Sequence, residues 1–189
     1  MHEGDSIEMM GDLEGQPPIT EQEIAAGIVD STNRVFSVML GISATPGPVQ
    51  SQDNVEGGES RILALLGFTG AWSGTGCVCC TPDLALKISG TMLMSEFSEV
   101  NDDVLDAIGE IANMVIGNFK DGVSSTLGQL ALTVPTVIFG RNVRARNLNG
   151  QGWITVPFDC DGQLLEVKVC LGPTPEMMHD RPTLLVSES

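Results

Sequence analysis

Basic residues are scarce in this chain. Only nine of its 189 residues are lysine or arginine, against 25 aspartates and glutamates, which gives a formal net charge of −16. Nucleic acids and anionic membrane surfaces attract basic patches, so this charge balance argues against both as partners. A protein partner that presents its own basic groups is compatible with it.

Long apolar runs are also missing. No stretch approaches the roughly 20 apolar residues that span a bilayer, and the acidic, glycine-containing start lacks the charged-then-apolar layout of a secretory signal. We therefore expect a cytoplasmic protein that does not enter a membrane. Its length suits one domain of ordinary size and is short for two.

Histidine is rare as well, which bears on metal binding. His2 and His179 are the only two, and both lie near the termini. Cys77, Cys79 and Cys80 form a cluster, but a zinc site needs a second matching cysteine pair or histidines in addition to such a C-x-x-C spacing. We predict no metal site and interpret the cluster as small apolar side chains in a buried strand. A zinc or thiol-redox protein is the alternative.

The clearest pattern in the chain lies in residues 101–120, NDDVLDAIGEIANMVIGNFK. Asn101 is a predicted N-cap, and we expect the helix to end after Lys120, with Gly122 as a left-handed stop. Apolar residues recur with the helical period and predict one buried face. Its members are Val104, Ile108, Ile111, Ala112, Val115 and Phe119.

The opposite side of this helix carries a polar stripe. Asp106, Glu110, Asn113 and Gly117 follow one another at spacings of three and four residues, which stack side chains on one face. An acid and an amide one turn apart are thus predicted to project together into solvent. Gly109 and Gly117 each cost roughly 1 kcal/mol of helix stability. We place both on this open side, where they either admit another surface or reflect local flexibility.

An earlier segment, residues 20–40, predicts a second amphipathic helix. Thr20 and Glu23 have the spacing of a capping box. Asp30 and Asn33 lie on its outward side and match Glu110 and its asparagine partner at an offset of 80 residues, which suggests an internal duplication. Chance similarity between two amphipathic helices is the alternative. The predicted buried face consists of Ile24, Ile28, Val35, Val38 and Met39.

The remaining segments complete a predicted α+β single domain over residues 20–189, after a flexible acidic leader at 1–19. We expect a mainly antiparallel sheet packed by two long amphipathic helices, with a pseudo-two-fold helix-strand-strand-helix repeat. A loop is predicted at 44–60, followed by strands at 61–72 and 77–80 around a turn at 73–76. A strand is predicted at 130–140, where Pro135 implies a bend or an edge position. A hairpin of 153–160 with 164–171 across Asp161 and Gly162 and a short strand at 183–186 complete the predicted elements.

A third, shorter helix is predicted between the first hairpin and the polar-stripe helix. Thr81 is its predicted N-cap, and a proline and an acid follow in the order expected of a first turn. We expect this helix to serve packing alone. Its predicted inward residues are Leu84, Leu86, Ile88, Met92 and Leu93.

These residues resemble the signature of a known family. Asp106, Glu110, Asn113 and Pro135 follow the pattern of the CheC, CheX and FliY group of chemotaxis phosphatases, although the gap before the proline is one residue shorter than usual. GFTGAWSGTGCVCCTPDLALKISGTML and VPTVIFG also resemble family stretches. The chain is most similar to CheX, over about residues 20–171.

The resemblance implies removal of the phosphoryl group from the aspartate of a CheY-like response-regulator receiver. Asn113 would hold the attacking water in line, and Glu110 would contact the receiver's active-site lysine. Asp106 either contacts the partner or is simply solvated, and Gly109, Gly117 and Pro135 are assigned to partner binding. The receiver would supply Mg²⁺, so the chain needs no cofactor of its own.

The same resemblance bears on site number and assembly. Asp30 and Asn33 would match the second site of CheC-type members, but the shorter acid favours one working site, as in CheX-type members. The resemblance also implies a homodimer. A non-catalytic receiver-binding or flagellar-switch adaptor module of the same fold is the alternative function.

Overall fold

Helices pack beside a sheet in an α+β arrangement. The computed structural model describes residues 18–52, 54–56, 60–146 and 152–174. The strand predicted at 183–186 and residues 1–17 of the predicted leader lie outside the described residues. The elements are α1 (Glu21–Val35), a π-helical turn (Phe36–Leu40), β1 (Thr45–Pro46), β2 (Gln50–Gln52), β3 (Asn54–Glu56), β4 (Ser60–Gly70), β5 (Trp72–Cys80), α2 (Pro82–Leu93), α3 (Asp102–Leu127), β6 (Leu130–Leu132), β7 (Thr136–Arg141), β8 (Arg144–Arg146), β9 (Trp153–Cys160) and β10 (Gln163–Pro173).

Eight of these strands form one antiparallel sheet, as predicted. Its order is β1-β9-β10-β5-β4-β6, with β2 also paired to β9 and β7 also paired to β4. β3 and β8 form a separate two-stranded ribbon. The predicted internal repeat stays a prediction. No helix in the described part of the chain is long and apolar enough to cross a membrane.

The main core lies between the helices and one face of the sheet. Glycines bring the layers close together: a Cβ atom at Gly27 in α1 would lie 3.2 Å from the ring of Phe119 in α3. Gly76 in β5 faces Ile116 of α3 in the same way, at 2.7 Å from its Cγ2 atom. A methyl group at either position would push α3 outward, so these contacts fix the helix that carries the polar stripe.

Helix α3 begins as predicted and ends later than predicted. The side chain of Asn101 accepts a backbone hydrogen bond at 3.1 Å and caps the first turn. The predicted stop at Gly122 is wrong, because the helix continues to Leu127. Val123 and Leu127 are buried and extend the apolar face at four-residue spacing beyond Phe119, so core packing outweighs the local cost of a glycine.

The first helix has the predicted capping box. The Glu23 carboxylate accepts a hydrogen bond from the Thr20 backbone at 2.8 Å, and the Thr20 hydroxyl accepts one from the Glu23 backbone at 3.2 Å. Ile19 precedes the cap and is buried in the core together with Ile24, the arrangement of a hydrophobic staple. The leader predicted over residues 1–19 is therefore wrong at Ile19, which belongs to the folded domain.

The end of the first helix departs from the predicted pattern. Val38 and Met39 were expected on the buried face, but both are exposed. The π-helical turn causes this, because its wider i→i+5 bonding changes the angle at which successive side chains leave the helix. Phe36 and Leu40 take the buried positions instead.

The first hairpin is longer than predicted. The turn expected at 73–76 is wrong, since β5 already begins at Trp72. Gly74 pairs within the sheet, and a Cβ there would collide with the carbonyl oxygen of Cys170. The glycines of this stretch thus permit close backbone approach and do not form the turn. The loop predicted at 44–60 likewise contains three short strands, β1, β2 and β3, which pair with β9 and β8.

Several local predictions are confirmed. The break at Pro135 separates β6 from β7, and both strands pair with the outer side of β4. Asp161 and Gly162 have positive φ values of 55° and 82° and join β9 to β10 in the expected turn. Thr81 caps α2 as predicted, with a hydrogen bond of 3.3 Å. Leu93 is exposed, contrary to prediction, because α2 ends there.

Candidate functional site

The polar stripe of α3 faces outward as the sequence predicts. Asp106, Glu110 and Asn113 are all exposed, whereas the apolar residues of the opposite face are buried against the sheet and α1. Glu110 and Asn113 lie one helical turn apart, which corresponds to an axial rise of about 4.5 Å. A carboxylate and an amide are therefore held side by side on a packed helix.

Neither of these two side chains is engaged elsewhere in the described residues. The side chains of Glu110 and Asn113 form no hydrogen bond or ion pair with another described residue, and the same holds for the side chain of Asp106. The acceptor oxygens of Glu110 and the amide of Asn113 are thus available to an external group. Asp102 and Asp103 add two more carboxylates in the first turn of the helix.

The two glycines of this helix have different surroundings, which corrects the sequence prediction. Gly109 is buried and does not lie on the open side: a Cβ atom there would be 3.3 Å from Cγ2 of Val137 and 3.6 Å from Cγ of Pro135. Gly117 has no atom within 4 Å of its Cβ position. The β6–β7 connection thus packs on α3 beside Glu110, while the far end of the stripe is open.

An apolar shelf flanks the stripe and was not predicted from the sequence. We define it as Pro135, Val137 and Phe139. Phe139 is 47% exposed. Val137 and Phe139 are two residues apart on β7 and therefore share one face of the strand. That alternation in VPTVIFG is the signal that predicts the shelf once the strand is known to lie beside α3.

The corresponding residues of α1 lie in a different environment. Asp30 is exposed, but Asn33 is only partly exposed. The Ser37 hydroxyl donates a hydrogen bond to the Asn33 carbonyl at 2.6 Å. The π-helical turn then directs Val38 and Met39 outward, whereas α3 continues as a regular helix past Gly117.

The cysteine cluster is part of the core, as interpreted from the sequence. All five cysteines are buried. Burial raises the pKa of Cys79 to about 11, and that of Cys160 to about 11 as well. Burial also raises the pKa of Cys77 and of Cys80. At neutral pH these groups are unreactive thiols, since the thiolate is the nucleophile and metal ligand.

Metal ligands do not converge in the described part of the chain. No group of three or more His, Cys, Asp or Glu side chains among those residues has an arrangement that could hold a metal ion. The buried thiols and this distribution of ligands leave the outward stripe of α3 as the candidate site.

Comparison with known proteins places this geometry in a family. The family model described as chemotaxis phosphatase CheX matches residues 62–159, just over half of the chain, including the stripe and Pro135. The chain belongs to the CheX family. A curated CheX relative, the CheY-P phosphatase CheX of Thermotoga maritima, is 24% identical over 128 residues, which cover 67% of this chain and 82% of the relative.

Solved structures of CheX proteins have the same fold. A chemotaxis protein CheX from Desulfovibrio desulfuricans is 28% identical with a TM-score of 0.71, over 79% of this chain and 99% of that one. A CheX–CheY–BeF₃–Mg²⁺ complex from Borrelia burgdorferi contains a chain with a TM-score of 0.68 and 21% identity, over 78% and 97% of the two chains. The second likeness shows the fold alone.

Proposed function

We propose that this chain dephosphorylates the aspartyl phosphate of a CheY-like response-regulator receiver. The observation that carries the proposal is the exposed, unengaged pair of Glu110 and Asn113 on a rigid helix of a CheX-family fold. The relative from Thermotoga maritima is named as a phosphatase of CheY-P, and the solved CheX from Borrelia burgdorferi is bound to CheY with BeF₃ and Mg²⁺.

Asn113 positions the attacking water in this proposal. Its amide both donates and accepts hydrogen bonds and does not titrate, so it orients the water without acting as a base. The water oxygen forms a bond to phosphorus as the bond from phosphorus to the receiver's aspartate oxygen breaks. Inorganic phosphate leaves, and the aspartate carboxylate is regenerated. Fixing the water in line removes several kcal/mol of entropic barrier.

Glu110 docks the receiver. Its carboxylate lies one turn from Asn113 and forms an ion pair with the lysine of the receiver's active site, which sets the register of the two surfaces. Asp106 continues the stripe and adds negative potential on the same side. The overall charge of −16 favours approach by a partner that presents basic groups around its phosphorylated pocket.

The metal belongs to the substrate in this mechanism. We propose that Mg²⁺ enters with the phosphorylated receiver and neutralises charge on the phosphoryl oxygens. The chain contributes the water-positioning amide and the docking carboxylate, and it needs no cofactor of its own.

One working site per chain is proposed. The partial burial of Asn33 supports this, because Asn113, its counterpart on α3, is exposed. A homodimer and a cytoplasmic location are proposed from the family resemblance. Light scattering of the purified chain tests the homodimer.

The function is tested with a phosphorylated CheY receiver from the same organism. Catalytic amounts of the native protein should accelerate loss of the phosphoryl label over the receiver's own rate, and Glu110→Gln should raise KM. A native protein that binds the receiver loaded with Mg²⁺ and BeF₃⁻, yet leaves its dephosphorylation rate unchanged, would indicate a non-catalytic adaptor and contradict the proposal.

A further inference from the structure

We propose that the face of the sheet turned away from the helices contains a binding site for a small carboxylate anion. The side chains that form it are Lys168 on β10 and Trp153 and Thr155 on β9. The site lies on the other side of the sheet from α3 and does not depend on the proposed function. The inference rests on hydrogen-bond donors that the fold buries together without enough acceptors.

Strand alternation places the three side chains on one face. Ile154 of β9 and Val167 of β10 belong to the core beneath the helices, so the residues that alternate with them point the other way. Thr155 pairs directly with Lys168 across the two strands, which brings their Cβ atoms to about 5 Å. Trp153 lies two residues from Thr155 on the same strand, about 7 Å along the same face. The three polar groups are therefore neighbours.

These donors are deeply buried and short of acceptors. Lys168 is 1% exposed, Thr155 0% and Trp153 3%. The indole Nε1 of Trp153 and the hydroxyl of Thr155 have no hydrogen-bond partner in the part of the chain that the structure describes. The Lys168 ammonium has three N–H bonds, and Glu166, at 3.3 Å, is its one partner among the same residues. Buried donors without acceptors are rare and costly, so an acceptor from outside the chain fits here.

The charge of this face selects an anion with a single negative charge. On β4, β5, β9 and β10, its buried or partly buried charged side chains are Lys168, Glu166 and Arg61. Arg61 lies further along the sheet, two residues before Leu63 on β4, and its buried Nη1 atom also lacks a partner. Two cations and one carboxylate leave one positive charge in excess. A monovalent anion balances this charge in surroundings where an unbalanced charge is unfavourable.

A carboxylate has the acceptors that this donor set requires. Its two oxygens offer about four lone-pair positions, enough for the ammonium, the hydroxyl and the indole N–H together. Hydrogen bonds to an ionised acceptor are also stronger than neutral ones. Cys77 pairs with Lys168 on the adjacent strand and is buried, and a buried thiol is a small apolar neighbour that suits a short alkyl group. Formate and acetate are therefore the probes.

Trp153 provides a direct readout of binding. The chain has two tryptophans, Trp72 and Trp153, and each gives one indole N–H signal in a ¹H–¹⁵N NMR spectrum of the labelled protein. Trp72 packs on the helix side of the sheet and is an internal control. Trp72→Phe assigns the two signals. After dialysis into chloride buffer and overnight equilibration with formate or acetate, we expect a saturable downfield shift of the Trp153 signal and an unchanged Trp72 signal.

Two site variants and one control link the shift to the proposed donors. Thr155→Val keeps the shape of the side chain and removes its hydroxyl, so the Kd for acetate should rise about tenfold. Lys168→Met removes the charge and should abolish the saturable shift. Lys87→Met changes an exposed lysine that pairs with Asp161 at the surface, and it should match the native protein. Acetate should also raise the unfolding temperature of the native protein more than that of Thr155→Val.

The remaining outcomes contradict the inference. A native protein whose Trp153 signal does not move with formate or acetate would mean that internal water satisfies the donors. Equal shifts with acetate, chloride and sulfate, or a native Kd in Thr155→Val, would mean an adventitious ion only. Because Thr155→Val is close to isosteric, it tests the site even where Lys168→Met fails to fold. No receiver is present in these measurements, so their failure leaves the proposed function standing.

Discussion

At the residue scale, exposure divides the polar side chains of α3 from the buried thiols of β5. Glu110 and Asn113 have chemistry that is useful only when another molecule meets it, and both are exposed with no described partner. Cys77 and Cys79 have the more reactive functional group, but burial keeps it protonated. Accessibility, more than residue type, therefore makes α3 the candidate site.

The thiols predict a loss of stability at alkaline pH. Cys79 has an ordinary pKa of 9.0, and burial raises it to about 11 in the folded chain. Between these values the unfolded chain loses the proton and the folded chain keeps it. The contribution of Cys79 to the free energy of unfolding is therefore complete below pH 9 and falls as the pH rises toward 11. One such thiol contributes a slope of up to about 1.4 kcal/mol per pH unit.

Urea unfolding between pH 8 and pH 11 measures this slope. Cys79→Ala is the matched variant, and it should show a shallower decline whatever its stability at pH 8. Equal slopes for the native protein and the variant would contradict the role assigned to Cys79.

A second residue-scale prediction concerns Asn33. Because its surroundings differ from those of Asn113, Asn33→Ala should leave the dephosphorylation rate of the receiver unchanged. Steady-state turnover of a phosphorylated receiver provides the measurement. A drop in kcat to half or less in this variant would support a second working site on α1 and contradict the single-site account.

At the element scale, α3 could be predicted from the sequence almost completely, and the reason is periodicity. Its cap, buried face and polar stripe are all local patterns that repeat every three or four residues. Its end could not be predicted, because Gly122 signals a stop locally while Val123 and Leu127 gain burial that only the tertiary structure provides. The π-helical turn after α1 has no such repeating signal.

The shelf could not be predicted from the sequence, for the same reason as the end of α3. The stripe of Glu110 and Asn113 follows from one helix and is visible in the sequence. The shelf requires knowing that β7 pairs with β4 and lies beside Gly109, a contact between residues far apart in the chain. The sequence prediction put Gly109 on the open side for this reason. A glycine has no side chain whose polarity could distinguish an exposed helix face from a packed one.

Two glycines on these elements predict opposite effects of alanine. Gly117→Ala should raise the free energy of unfolding by about 0.5–1 kcal/mol, because it gains helix propensity and a Cβ there meets nothing within 4 Å. Gly76→Ala should lower it by about 1–3 kcal/mol, because its Cβ would be 2.7 Å from Ile116. Chemical denaturation at pH 7 compares both with the native protein. Equal changes in the free energy of unfolding for the two variants would show that packing at Gly76 does not fix the position of α3.

At the scale of the whole molecule, the sheet carries helices on one face, and the proposed site lies along α3 and the edge strand β7. The stripe of α3 and the shelf on β7 meet there, so a partner can reach both without entering a pocket. This openness suits a protein substrate, whose own active site encloses the phosphoryl group.

The location of the metal gives a prediction at this scale. Treatment of the purified protein with EDTA, followed by removal of the chelator, should leave its unfolding temperature and its later activity unchanged. EDTA in the complete assay should stop dephosphorylation, and excess Mg²⁺ should restore it, because we propose that the receiver supplies the ion. Lasting loss of activity after pretreatment of this chain alone would indicate a resident metal.

The most direct measurement of the central claim is the turnover and binding of Asn113→Ala side by side. We predict that this variant binds a receiver loaded with Mg²⁺ and BeF₃⁻ within about threefold of the native Kd, but loses roughly 100-fold in kcat because the water is no longer held in line. Asn118→Ala changes the same residue type on the same helix, away from the stripe, and should behave as native. Asn113→Ala that turns over the phosphorylated receiver at the native rate would contradict the account.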